Sequence, residues 1–110
     1  MIFHYNYPIN ISKITRITKL KKLEILDFGC GIGNWIPHDV NLKKIKKIIL
    51  YDNNPNLKKL LKKKYSNKKF HIEFNYKNII KKKFNVVIFS SVIQYIPAQR
   101  LKKIINDLEK

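Results

Sequence analysis

The sequence holds three glycines, and all of them lie within five positions, at Gly29, Gly31 and Gly33. The chain makes its other turns with Asn, Pro, Ser and Asp, so a general need for flexibility does not explain the cluster. The preceding segment, Leu23–Phe28, is largely apolar, as in a buried strand of a parallel sheet. Glycines at alternate positions after such a strand permit a sharp turn and let backbone N–H groups approach a ligand. The cluster therefore predicts a nucleotide-type binding loop.

The spacing of the glycines distinguishes between two kinds of loop. The dinucleotide fingerprint G-x-G-x-x-G would place its third glycine at position 34, where the chain has Asn34. The pattern is instead D-x-G-x-G-x-G, beginning at Asp27, within the run L-D-F-G-C-G-I-G. This run resembles the first motif of the class I S-adenosylmethionine-dependent methyltransferases, and the resemblance implies S-adenosylmethionine as the cofactor. A tight strand-to-helix turn without a ligand is the alternative.

The apolar pattern predicts four strands, over residues 23–28, 47–52, 69–74 and 84–90. Right-handed crossovers between them give a Rossmann-like α/β fold, with a parallel sheet in the spatial order 3-2-1-4 flanked by helices. We expect one domain over residues 1–110, with an N-terminal arm and helix over 1–22 and the core over 23–110.

Helical spacing of apolar residues predicts the flanking helices. A short helix is expected between positions 10 and 20, and another directly after the glycine loop, over residues 34–39. Two amphipathic helices follow, with apolar stripes formed by Leu57, Leu60, Leu61 and Tyr65 and by Leu101, Ile104, Ile105 and Leu108. The few residues between the third and fourth strands leave room only for a short helix.

The resemblance also implies three further strands beyond the fourth, and this sequence contains none of them. The fourth strand would then form an apolar sheet edge with unpaired N–H and C=O groups, which must be covered. Either the final helix and the N-terminal arm cover this edge, or another subunit does. We therefore predict a homo-oligomer.

Asp52 follows the second predicted strand, about twenty residues beyond the glycine loop. An acidic side chain in this position accepts hydrogen bonds from the two ribose hydroxyls of an adenosine. Capping of the next helix by Asp52 or Asn53, ahead of Pro55, is the alternative, and both roles are compatible. The resembled family has an acidic residue at this place, which favours the ribose contact.

The resemblance implies that Asp27 and Asp52 contact the cofactor, together with further residues around them. Asn75 and Tyr76 follow the third strand, where the resembled family contacts the adenine ring, although a simple turn explains Asn75 equally well. The remaining residues that we expect to bind S-adenosylmethionine are Phe28, Cys30, Asn34, Trp35, Asn53, Ser90 and Ser91. Acidic groups at strand ends, among them Glu24 and Glu73, could also hold its sulfonium and ammonium groups.

The segment S-S-V-I-Q-Y-I-P follows the fourth strand and lines the expected mouth of the site. It lacks the N/D/S-P-P-Y/F/W form of the enzymes that methylate the amines of adenine and cytosine, so that chemistry is disfavoured. Asn85 stands where the resembled fourth motif usually has Asp. Methyl transfer from a sulfonium needs mainly positioning rather than a strong base. The catalytic candidates are Gln94, Tyr95 and Tyr7, and no constellation of residues singles one out.

The formal net charge is +17, with 24 basic against 7 acidic residues. Such a field attracts phosphate backbones, so we expect a nucleic acid as methyl acceptor, with RNA preferred over DNA. An A/T-rich genome would also enrich lysine, which supplies 22 of the 24 basic residues. A small-molecule methyltransferase and a non-catalytic, cofactor-binding or nucleic-acid-binding subunit are the alternatives.

Cys30 is the single cysteine, so an internal disulfide is excluded and a reducing compartment is favoured. No apolar run approaches the roughly 18 residues of a membrane span, and no cluster of residues has the spacing of a metal site. We expect a cytoplasmic protein without a metal and without a membrane partner.

Overall fold

A computed structural model of the protein describes residues 2–5, 22–33, 36, 42–90 and 95–109. The described part contains five strands: β1 (Ile2–Tyr5), β2 (Leu23–Phe28), β3 (Ile45–Tyr51), β4 (Phe70–Glu73) and β5 (Val86–Ser90). They form one all-parallel sheet in the order β1-β5-β2-β3-β4. The predicted Rossmann-like α/β fold is confirmed, and its four core strands keep the predicted 3-2-1-4 order.

The N-terminal arm is itself a strand of the sheet. Ile2–Tyr5 pairs in parallel with β5, with Ile2 opposite Val87 and Tyr5 opposite Ser90. Of the two ways of covering the edge of β5, the chain therefore uses its own first residues. The expectation that another subunit would be needed at this edge loses its basis, and the homo-oligomer stays a prediction.

Two layers of helices cover the sheet. Behind one face, a 3-10 helix (Pro55–Leu57) leads into α1 (Lys58–Lys64), and Leu61 and Tyr65 join a buried cluster with β-strand residues. The other face is covered by α2 (Tyr76–Ile80) and α3 (Ala98–Leu108). The expected short helix before the last strand is thus present. The predicted helix over 34–39 and the one between 10 and 20 lie outside the described residues.

The amphipathic patterns are confirmed with one exception. In α3, Ile104 and Leu108 are buried, as their spacing predicts. In α1, Leu61 is fully buried but Leu60 is 47% exposed. The seven residues of α1 bury one side chain, that of Leu61, against the sheet. Leu60 is turned about 100° away from it around the helix and therefore lies outside the buried face.

Parallel strands bring their carboxyl ends to one edge of the sheet, where open α/β sheets bind their ligands. The glycine loop follows β2, Asp52 follows β3, and Glu73 closes β4 at this edge. Among the helices of the described residues, none is both long enough and apolar enough to cross a bilayer.

Candidate functional site

The glycine loop adopts a backbone that side chains rarely tolerate. The φ angles of Gly29, Gly31 and Gly33 are +76°, +56° and +81°. At Gly33 a further constraint exists, because a Cβ atom there would lie 2.5 Å from the Tyr65 ring. Around Gly31 no atom lies within 4 Å of such a Cβ. Glycine is therefore required at position 33 by both conformation and space, and at position 31 by conformation alone.

Four amide groups of the loop are already hydrogen-bonded within the protein. Gly29 N and Cys30 N both donate to the carbonyl oxygen of Tyr51, at 2.8 and 2.9 Å, and Gly33 N donates to Cys30 O at 2.9 Å. Gly31 N donates to Asp52 Oδ2 at 2.9 Å. The expectation of bare N–H groups facing a ligand is wrong for these four amides, because Tyr51 and Asp52 at the end of β3 supply three of the hydrogen bonds and the loop itself supplies the fourth. The loop is instead fixed against the end of β3.

Asp52 is the residue that ties the two strand ends together. Its Oδ2 accepts from Gly31 N, and its Oδ1 accepts from Asn54 N at 3.0 Å. The cap of the following 3-10 helix is Asn54, whose side chain accepts from Asn56 N, so the capping role expected for Asp52 or Asn53 falls one residue later. Each carboxylate oxygen has a second lone pair, so Asp52 can still accept hydrogen bonds from a ligand.

A cleft of about 450 Å³ opens beside Asp52, within the size range of small-molecule sites. One wall consists of the strand ends, with Phe28, Gly29, Tyr51, Asp52 and Asn53. The other wall is formed by the first turns of α3 and the residues before it, with Tyr95, Ile96, Pro97, Arg100 and Ile104. The cleft thus combines apolar and aromatic walls with one carboxylate and one guanidinium group.

Arg100 is a cleft residue that the sequence analysis did not single out. Its guanidinium opposes the rise in the pKa of Tyr51 that burial and Asp52 produce. The composition contained a signal for Arg100, because it is one of only two arginines among 24 basic residues in a chain that otherwise uses lysine. Tyr95, a catalytic candidate, also lines the cleft and is 79% exposed at its rim.

An aromatic cluster lies behind the cleft wall that Phe28 and Tyr51 form. The Phe28 ring lies 4.9 Å from that of Tyr51 and 5.2 Å from that of Phe89, measured between centroids. Tyr76 packs edge-on against both Phe28 and Tyr51, at 6.4 and 6.3 Å. The Tyr76 hydroxyl donates to Asp107 Oδ2 at 2.7 Å, and burial, followed by this hydrogen bond, raises the pKa of Tyr76. Tyr76 therefore supports the aromatic wall from behind.

Asn75 and Glu73 organise the turn after β4. Asn75 Oδ1 accepts from Lys77 N at 3.0 Å and caps α2. Glu73 Oε2 accepts from both Phe74 N and Asn75 N at 3.0 Å. Neither side chain lines the cleft, so the turn role of Asn75 is realised and its contact with an adenine ring stays a prediction.

Asp27 lies beneath the glycine loop rather than in the cleft. It is fully buried, and neither of its carboxylate oxygens has a hydrogen-bond partner within the described parts of the chain. Burial, and secondarily the charge of Asp52, raises its pKa to about 7. Its expected contact with the cofactor stays a prediction.

Cys30 and Tyr65 share this buried region. Burial raises the pKa of the Cys30 thiol, and Asp27 and Asp52 add to the rise, so the thiol is neutral and unreactive at neutral pH. The Tyr65 hydroxyl contacts the carbonyl oxygens of Gly33 and Ile36, and burial raises its pKa as well. The Tyr65 hydroxyl therefore fixes the buried side of the glycine loop.

Glu24 and Asn85 lie at the opposite edge of the sheet from the cleft. Asn85 Oδ1 accepts from Glu24 N at 2.8 Å, and Asn85 N donates to Glu24 O at 2.9 Å, which joins the beginnings of β5 and β2. Lys46 Nζ lies 3.7 Å from Glu24 Oε1. The expectation that Glu24 faces a cationic ligand is therefore wrong, and Asn85 serves the pairing of strands.

Several predicted site residues lie outside the described residues: Asn34, Trp35, Ser91, Gln94 and Tyr7. Ser90 ends β5 at the carboxyl edge, beside the end of β2. No group of three or more His, Cys, Asp or Glu side chains that could hold a metal ion occurs among residues 22–33, 42–89 and 95–109.

The chain is similar to known proteins in two respects. A family model described as a methyltransferase domain matches residues 3–108. The fold resembles the crystal structure of precorrin 8W decarboxylase from Methanobacterium thermoautotrophicum, with a TM-score of 0.60 at 15% sequence identity. The match covers 94% of this chain and 63% of that one, so the chain spans less than two thirds of its structural neighbour. No curated protein matches the sequence.

Proposed function

Because this chain belongs to the methyltransferase domain family, we propose that it binds S-adenosylmethionine in the cleft beside Asp52 and transfers the methyl group to a nucleic acid. Proteins of this family generally use S-adenosylmethionine. The lone, buried cysteine fits a cytoplasmic location, which forms part of the proposal.

The observation that carries the proposal is the placement of Asp52. Its carboxylate is held in a fixed orientation by Gly31 N and Asn54 N, and it lines the cleft together with Phe28 and Tyr51. A fixed carboxylate with free lone pairs is suited to two adjacent hydroxyl groups, and a flat apolar wall is suited to a purine. The residues present therefore fit an adenosyl group.

The chain's own residues contribute mainly positioning. When bound, S-adenosylmethionine supplies an already activated methyl group. Asp52 accepts hydrogen bonds from ribose hydroxyls, Phe28 and Tyr51 pack against the adenosyl moiety, and the glycine loop allows close approach without side chains. Orienting two reactants in this way can provide an effective concentration on the order of 10⁵ M or more. The exposed Tyr95 at the rim is the described residue best placed to contact an acceptor.

The net charge of +17 supports a nucleic acid as the acceptor, with RNA preferred. A small-molecule acceptor is the second candidate, since the structural neighbour is named for decarboxylating precorrin 8W. A labelled-methyl assay against total RNA, DNA, protein and small metabolites distinguishes these, if run at low and moderate salt. Label appearing only in small molecules would overturn the nucleic-acid proposal.

Cofactor binding is tested by calorimetry with S-adenosylmethionine. We expect Asp52→Ala to weaken binding by about 100-fold or more, because a charge-assisted pair of hydrogen bonds contributes roughly 3 kcal/mol. Glu109→Ala is the matched control, since it removes one exposed carboxylate outside the cleft and should leave binding unchanged. Absence of binding by the unsubstituted protein would leave only a non-catalytic role.

Loss of the Asp52 carboxylate also frees Gly31 N, so a second comparison isolates the ribose contact. The unsubstituted protein should bind adenosine more tightly than 2′,3′-dideoxyadenosine. Asp52→Ala should bind both nucleosides equally. A preference for adenosine that survives the substitution would show that another residue recognises the hydroxyls.

A further inference from the structure

We infer that the exposed lysines of α1, Lys58, Lys59, Lys62 and Lys63, form the surface that binds the phosphate backbone of a single-stranded nucleic acid. The inference rests on the proposed function only in taking a nucleic acid as the acceptor. It assigns the contact to one helix rather than to the overall charge of the chain.

The first observation is the separation of charge along the sequence. Between positions 53 and 72 the chain has seven lysines and no acidic residue. All four lysines of the α1 surface are exposed. Positions 74–106 also hold seven basic residues and no acidic one, but these are spread over 33 positions, and Lys103 Nζ lies 3.1 Å from Asp107 Oδ2 in α3. The four lysines of the α1 surface have no acidic residue on their own helix.

The second observation is that these lysines act against the helix that carries them. Lys58 and Lys62, and likewise Lys59 and Lys63, are like charges four residues apart, which destabilises a helix by a few tenths of a kcal/mol for each pair. The helix dipole adds no net penalty, because Lys58 and Lys59 stand in the first turn, where it opposes a cation, whereas Lys62 and Lys63 stand in the last turn, where it favours one. Bound phosphates would relieve the like-charge repulsion, so α1 gains from a polyanion.

The third observation places this surface next to the proposed active site. On its inner face, α1 brings Leu61 and Tyr65 against Gly33, and the Tyr65 hydroxyl contacts the carbonyl oxygen of Gly33. Asn53, which lines the cleft, precedes Lys58 by one turn of 3-10 helix. A helix is about 10 Å across, so a backbone bound to the outer face lies within a few nucleotides' reach of the cleft.

The test compares two fourfold variants with the same loss of charge. In one, the four α1 lysines are replaced by Gln, which keeps helix propensity. In the other, Lys77, Lys81, Lys82 and Lys83 are replaced by Gln; they lie on or just after α2, in the opposite layer. Binding of a fluorescent single-stranded RNA oligonucleotide is measured by anisotropy from about 0.05 to 0.3 M KCl, so that exposed long-range charge is screened at the upper end.

We expect the α1 variant to bind about 100-fold more weakly at 0.15 M salt and to lose about three units of the salt slope, since each phosphate contact on a single strand contributes about 0.7. The α2-side control should lose less than about threefold. Equal losses in both variants would overturn the inference, because charge alone would then explain binding. An α1 variant that binds RNA as the unsubstituted protein does would also overturn it.

Two further measurements keep the outcome interpretable. The α1 variant should unfold at the same temperature as the unsubstituted protein or higher, because like-charge repulsion has been removed. It should also keep its affinity for S-adenosylmethionine. RNA binding through α1 in a protein that binds no S-adenosylmethionine would sink the proposed enzyme while supporting this surface. Binding of α1 to anionic lipid vesicles, with no α1-dependent binding of RNA, would overturn it.

Discussion

The two sides of the glycine loop differ in almost every physical property. The inner side, formed by Asp27, Cys30 and Tyr65, is buried and packs against α1. The outer side, formed by Asp52, Tyr51 and Arg100, opens into a cleft of about 450 Å³. Asp27 and Asp52 stand at the ends of adjacent strands, yet one has no partner in the described structure and the other accepts two backbone hydrogen bonds.

We expect this difference to divide one short motif between two purposes. Substitutions on the inner side should change the stability of the fold, whereas substitutions on the outer side should change ligand binding. The four predictions below test that separation.

The largest effect is expected from Asp27→Asn, through the dependence of stability on pH. The pKa of Asp27 is raised from 3.8 to about 7 in the folded protein, so the unfolded chain releases this proton first. The free energy of unfolding should therefore fall as the pH rises from about 4 to about 7. Asn removes this dependence, so the stability difference between the two proteins should shift in favour of the variant by about 4 kcal/mol between low pH and pH above 7.

Chemical denaturation of both proteins between pH 4.5 and 8 measures the effect. His71 titrates with the opposite sign, because burial together with Lys47 and Lys82 lowers its pKa, but its contribution cancels in the difference between the two proteins. A difference that does not change with pH would mean that Asp27 is ionised in the fold.

Gly33→Ala should destabilise the protein by about 3 kcal/mol, since it adds a strained positive φ to a steric clash with Tyr65. Gly31→Ala is the matched control, because it shares the positive φ but meets no atom within 4 Å, and it should cost about 1 kcal/mol. Urea denaturation gives both values. Equal costs would contradict the close packing of the loop on α1.

Tyr65→Phe should lower the free energy of unfolding by about 1–2 kcal/mol, because the buried carbonyl oxygens of Gly33 and Ile36 lose the one hydroxyl proton that they share. Affinity for S-adenosylmethionine, corrected for the unfolded fraction, should change by less than about threefold. A large loss of affinity in the folded protein would show that the inner side also controls the ligand site.

The smallest effect is expected on the outer side, from Arg100→Ala. Loss of the guanidinium from the cleft wall should weaken S-adenosylmethionine binding by about tenfold or less and leave stability within about 0.5 kcal/mol. Arg100→Lys keeps the charge but not the planar group, so it separates electrostatic attraction from stacking. A substantial loss of stability in Arg100→Ala would place this residue with the structural side.

Local patterns in the sequence predicted much of the fold because the strands are short, apolar and regularly spaced. The bounds of β2 were predicted to the residue, and the other core strands to within two residues at either end. Ile2–Tyr5 was missed as a strand because its four residues mix apolar, aromatic and polar types without alternation. Its pairing partner lies at the far end of the sequence, so no local signal reports it.

The site was predictable only in part, for a related reason. The glycine spacing and the acidic residue after the next strand identified the two strand ends correctly, and Asp52 does line the cleft with Phe28 and Gly29. The hydrogen bonding of the loop amides depends on the Tyr51 carbonyl group of a neighbouring strand, and the position of Arg100 depends on how α3 packs. Such relations arise from tertiary structure, which residue spacing does not encode.

The pairing of β1 with β5 has a consequence for the order of folding. Ile2 meets Val87, so this contact closes a loop that includes most of the chain, and its entropy cost is recovered only after the intervening strands are in place. We therefore expect β1 to dock last and to exchange its amide protons fastest among the strands. Until it docks, the free margin of β5 is open to intermolecular aggregation, which makes refolding yield sensitive to protein concentration.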